Sequence, residues 1–66
     1  MKLNVNGQEM WVSDVSTVAD LLKSLSIVPE TVVCEHNLNL IKRKDFHTAV
    51  VNEGDQIEII QMIGGG

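Results

Sequence analysis

The chain has 66 residues, 44% of them hydrophobic, with one cysteine and a formal net charge of −4. A domain of this size buries only about 60% of the surface its unfolded chain exposes, which leaves no room for both a sound core and a catalytic pocket. One cysteine excludes an internal disulfide and suits a reducing compartment, and the acidic balance argues against nucleic acid, which rewards a basic face.

The opening reads as a hairpin. Asn6-Gly7 is a strong two-residue turn signal, because a type I′ turn needs positive φ at both positions. Closing the turn there sets Leu3 against Met10 and Met1 against Val12 on one face. Lys2 then faces Trp11, and Asn4 faces Glu9, on the other. Trp11 is expected to pack its ring against the stem or ammonium of Lys2, with contact to a partner as the alternative.

A helix starts at Ser16-Thr17, with Thr17 as cap and Asp20 three residues on, in a capping-box arrangement. Val18, Leu21, Leu22 and Leu25 form one apolar stripe, and Lys23 and Ser24 fall on the wet side. Pro29 disfavours helical geometry at Val28, so the helix ends near Ser26.

Thr31–Glu35 alternates and is rich in β-branched residues, which predicts a strand, followed by a turn at His36-Asn37 and a short strand at Leu40-Ile41. This alternation puts Cys34 on the core face beside Val32, where a thiol acts as a small hydrophobe. Lys44–His47 reads as an irregular turn whose Phe46 plugs the core. Asn52–Asp55 is a turn, and Gln56–Met62 is the last strand. Within it Ile57 and Ile59 point inward, and Ile60 and Met62 outward. Its isoleucine content asks for cover and neighbours on both sides, which places it centrally beside the first strand. The sum is an α+β domain, one mixed sheet on one main helix.

After that strand stands Ile63-Gly64-Gly65-Gly66. Glycine loses more backbone entropy on ordering than any other residue, so a glycine run contributes little to a core. What it offers is a thin strip that reaches down a narrow channel, about 3.3–3.6 Å per residue when extended. The expectation is a domain over residues 1–62 and a flexible, reactive tail over 63–66. Gly66 is the reactive terminus, Gly64 and Gly65 give access, and Ile60, Met62 and Ile63 form a docking patch beside it.

These residues carry a family resemblance. Asn6-Gly7, Thr17–Leu22, Asn37, Arg43, Glu53–Ile59 and the terminal Ile63-Gly64-Gly65-Gly66 resemble the ThiS family of sulfur carriers, over essentially the whole chain. Members often carry Gly near Val15, Gly at Leu38 and Pro at Lys42. The departures here imply a less tight turn after Asn37 and a less rigid strand after it.

The resemblance implies a ubiquitin-like β-grasp fold and a sulfur carrier. A ThiF-like adenylating enzyme would use ATP to convert the Gly66 carboxylate to an acyl-adenylate. A sulfur donor, a cysteine desulfurase or sulfurtransferase, would supply the sulfur that displaces AMP. Thiazole synthase would take sulfur from the resulting thiocarboxylate into the thiazole of thiamine. The carrier would bind no cofactor of its own and would not be an enzyme. The same resemblance leaves room for a carrier of another pathway, such as molybdopterin synthesis or tRNA thiolation. Molybdopterin carriers typically show a Pro-Pro pair before the glycines, and Ile60–Ile63 has none. A protein modifier conjugated through Gly66, or a binding module with an inert tail, are the remaining alternatives.

The other chemically suggestive residues read as structural. His36 and His47 are not spaced with Cys34 for zinc, which needs more ligands, so no metal site is expected and both read as surface or turn histidines. Lys42-Arg43-Lys44 reads as a solvated face. The opening residues lack the long apolar stretch of a signal peptide, and no run is long enough to span a bilayer; a cytoplasmic protein with no membrane or nucleic-acid partner is expected.

Overall fold

A computed structural model describes residues 1–62. Its strands are β1 (Lys2–Val5), β2 (Gln8–Trp11), β3 (Val32–His36), β4 (Asn39–Ile41) and β5 (Gln56–Gln61), and its helix is α1 (Val18–Ser24). They form one five-stranded sheet in the order β2-β1-β5-β3-β4. β1 and β5 are parallel, and the other neighbours are antiparallel. The last strand is therefore central and lies beside the first, as its isoleucine content predicts, in the β-grasp arrangement that the resemblance implies.

The hairpin has the expected register, Leu3 opposite Met10, Asn4 opposite Glu9 and Lys2 opposite Trp11. Met1 and Val12 extend it by exchanging two backbone bonds of 3.0 and 2.8 Å. Asn6 and Gly7 have φ of 52° and 82°, the left-handed pair that a type I′ turn requires. Trp11 differs from expectation. It is 77% exposed, and the Lys2 ammonium is directed instead to Glu9, 3.4 Å away, where a full opposite charge outcompetes a ring face.

Thr17 and Asp20 close a reciprocal capping box at the start of α1. Val18, Leu21 and Leu22 are fully buried and Leu25 is half-buried. Each fully buried side chain contributes about 1.5–3 kcal/mol relative to exposure. α1 ends at Ser24, earlier than expected. Ser26 takes φ 60°, its N–H donates to the Lys23 carbonyl and the Ile27 N–H donates to Leu22, a Schellman ending. Phe46, 2% exposed, plugs the core as expected. The N–H groups of Val18 and Ala19 donate to the Ala49 and Phe46 carbonyls and pin the helix start to that segment.

β3 begins at Val32 because Pro29–Thr31 is taken by a single 3-10 turn. The following turn is centred on Asn37 and Leu38, not His36 and Asn37. His36 stays in the ladder opposite Asn39, while Asn37 and Leu38 adopt φ of 49° and 74°. Leu38, 83% exposed, thus holds a left-handed position that costs an L residue about 1–2 kcal/mol.

Candidate functional site

The candidate site is the end of β5 and the tail beyond it. Ile63, Gly64, Gly65 and Gly66 lie outside the described residues, which reach the base of the site. β5 enters between β1 and β3 as the parity of its sequence requires. Ile57 is 1% exposed and Ile59 half-buried, while Ile60 and Met62 are 50% and 51% exposed on the outer face. Ile60 stands opposite Val33, and Glu58 opposite Glu35. Two apolar groups of the expected docking patch therefore face solvent next to the tail. Trp11 sits at the other end of the sheet, where β5 begins, and is no part of it.

The two edges of β5 end differently. On the β3 side the ladder continues to the last described residue, with the Met62 N–H donating to the Thr31 carbonyl at 2.9 Å. On the β1 side the backbone bonds stop when the Asn6 N–H donates to the Ile57 carbonyl at 2.9 Å, because β1 turns back there. The side chain of Asn6 then takes the next rung. Its Oδ1 accepts from the Ile59 N–H at 2.7 Å and its Nδ2 donates to the Ile59 carbonyl at 3.2 Å. A carboxamide has the donor and acceptor of a peptide group, so it stands in for one. Sequence reasoning saw Asn6 only as a turn residue; its partner lies 53 positions away.

The start of β5 is fixed by a second polar cluster. His36 Nε2 lies 2.7 Å from Asp55 Oδ2, and the same carboxylate oxygen accepts from the Asn52 N–H at 2.8 Å. Burial pushes the Asp55 carboxyl up, but the bonds from His36, Asn52 and Asn37 outweigh it and hold it below its ordinary value. Asn37 Oδ1 accepts from the Gln56 N–H at 2.9 Å. His36, expected as a surface histidine, is thus a half-buried strut, whereas His47 is exposed. The Glu53-Gly54 turn is tied to Lys2 by two further bonds, of 3.0 and 2.8 Å.

Cys34 is fully buried beneath the sheet, where burial pushes its thiol up, away from the reactive thiolate. Lys42, Arg43 and Lys44 are exposed, as expected. Among the described residues, no helix is long and apolar enough to cross a membrane.

The central strand is thus braced at both ends by side-chain hydrogen bonds. The ThiS family model matches residues 2–66. The chain belongs to the ThiS family. The sulfur carrier protein ThiS of Bacillus subtilis is 34% identical over 65 residues, 97% of this chain and 98% of that one. A crystal structure of the thiamine biosynthesis protein ThiS from Geobacter metallireducens superimposes with a TM-score of 0.84 at 33% identity, each chain covered completely. A thiazole synthase of Paramagnetospirillum magneticum is 39% identical over all 66 residues of this chain. The ThiS-like match spans only 20% of that relative's length, about a fifth, as it does in a second thiazole synthase.

Proposed function

We propose that this chain is the sulfur carrier of thiamine biosynthesis, with the Gly66 carboxylate as the group that is activated and loaded. One observation carries the reading: a ThiS-family domain whose central strand leads straight into Ile63-Gly64-Gly65-Gly66. A carboxylate is a poor electrophile, because its charge repels nucleophiles and oxide is a bad leaving group. A ThiF-like enzyme would use ATP to make the acyl-adenylate, which neutralises the charge and supplies AMP as leaving group. The terminal sulfur of a persulfide on a cysteine desulfurase or sulfurtransferase would displace AMP to give an acyl disulfide, and a second thiol would then cleave its S–S bond, forming a disulfide with the donor cysteine and leaving the thiocarboxylate on Gly66.

The carrier supplies an unhindered acyl terminus, and the activating enzyme supplies positioning and charge stabilisation. We assign the carrier no turnover of its own and no bound cofactor. Buried Cys34 and the His36–Asp55 pair are both committed to holding the domain together. Thiazole synthase is the proposed acceptor. The support is that a segment matching this whole chain occurs inside polypeptides named thiazole synthase. The proposed location is the cytoplasm, where these partners would meet the carrier.

The test is incubation with a ThiF-like enzyme, ATP and a persulfide donor, followed by mass spectrometry. A thiocarboxylate at Gly66 that thiazole synthase then consumes is the expected result. An adduct on another protein's lysine would identify a modifier instead, and an unchanged mass would refute activation.

A further inference from the structure

The end of β5 has a free edge. In the pairing with β3, the rungs at Thr31–Met62 and Asn37–Gln56 carry backbone bonds. Alternation along an antiparallel ladder then turns the backbone groups of Ile59 and Gln61 away from β3. Those of Ile59 are taken by Asn6. The N–H and C=O of Gln61 point into the lane that β1 has vacated, and no described residue pairs with them. Beside this lane, on the inner face, opens a groove of about 620 Å³. Met10, Leu25, Ile27, Val28 and Ile59 line it together with Gln61, and none of its lining residues is charged.

We infer that this lane receives an extended segment of the protein that activates Gly66, which adds a strand to the sheet beginning at Gln61 and sets an apolar side chain in the groove. The inference rests on the sulfur-carrier reading. Gly64, Gly65 and Gly66 have no side chains, so a partner can hold them only by their backbone. Gln61, the last residue of β5, keeps its backbone groups open three positions before Gly64, so a strand paired there lies next in sequence to the glycines. An occupant with unpaired backbone groups and an apolar side chain matches what lane and groove offer. Among its described residues, a second copy of this chain could offer only the short outer edges of β2 and β4, of four and three residues, and Glu9 and Trp11 on β2 are exposed and carry a charge and a bulky ring.

The experiment uses the full chain and a ThiF-like adenylating enzyme, with Gln61 N–H exchange followed by NMR. The Gln61 amide should exchange fast in the free chain and become protected in the complex. A synthetic chain with an ester in place of the Ile60–Gln61 amide lacks that N–H and should bind about ten-fold more weakly. Adenylation of the unmodified chain without protection of Gln61 overturns the strand addition and leaves the carrier reading standing. Failure of the unmodified chain to be adenylated overturns both. Protection that rises with the concentration of the chain alone shows a second copy in the lane and also overturns it.

Discussion

Asn6 and Ile59 form a two-point clasp, the carboxamide of one holding both the N–H and the C=O of the other at 2.7 and 3.2 Å. It replaces the β-strand rung that β1 cannot supply, and it secures β5 three residues before the last one described. Asn6→Ala loses both bonds and places Ala at φ 52°. A loss of about 1–3 kcal/mol is expected from the two effects together. Urea denaturation would measure it, and the Ile59 amide should lose its exchange protection first.

Leu38 sits at φ 74° with an open, solvated side chain. Leu38→Gly relieves a left-handed conformation that glycine adopts freely, at the cost of added freedom in the unfolded chain. A net gain of about 0.5–1 kcal/mol is expected, read as a rise in Tm of roughly 2–8 °C for a domain of this size. An unchanged or lower Tm would show that the turn is not strained.

The carboxyl of Asp55 is held below its ordinary value of 3.8 when the domain is folded. The unfolded chain therefore binds its proton more readily, and stability rises with pH in this window. The contribution of Asp55 is present above about pH 4 and disappears as pH falls through the lowered folded value. Asp20 is shifted the same way, chiefly by the Ser16 N–H. Asp55→Asn should flatten, without abolishing, the fall of the denaturation midpoint as pH drops below about 4. An acid slope identical to that of the parent would contradict the sign.

Under the proposed function, a β-carbon on Gly65 would crowd the approach of ATP and of the sulfur donor to the acyl terminus. Gly65→Val is expected to keep the circular dichroism and Tm of the parent and to yield no thiocarboxylate by mass spectrometry. Normal loading of this variant would remove access as the reason for the glycines.

Ile60, half-exposed opposite Val33, is the apolar centre proposed for docking. Ile60→Thr keeps a β-branched side chain and removes much of the apolar surface. Binding to the activating enzyme should weaken by about ten-fold, while stability changes by no more than about 1 kcal/mol. Equal affinity in calorimetry would move the docking surface elsewhere.

Local chemistry made much of this fold readable. Asn6-Gly7 set the hairpin register, Thr17 and Asp20 set the helix start, and the alternation of Ile57 to Met62 told inside from outside. What stayed hidden is contact between distant residues. Nothing in sequence brings Asn6 to Ile59 or His36 to Asp55, because those meetings depend on how the sheet is ordered. The turn lies one residue beyond where the sequence points, because Leu38 is a poor occupant of a left-handed position. The fold tolerates it there, held between paired strands. Trp11 was expected to find a neighbour, but Glu9 offered Lys2 a stronger attraction.

The placement of β5 between β1 and β3 has a mechanical consequence. A pull on the tail, as when a second protein draws it into a channel, runs along the axis of the strand. It loads the hydrogen bonds on both flanks in shear, all at once, rather than unzipping them singly. The parallel partner is the chain's own first strand, so the whole domain shares the tension. The strand at the base of the terminus thus resists a pull through its two flanking pairings together.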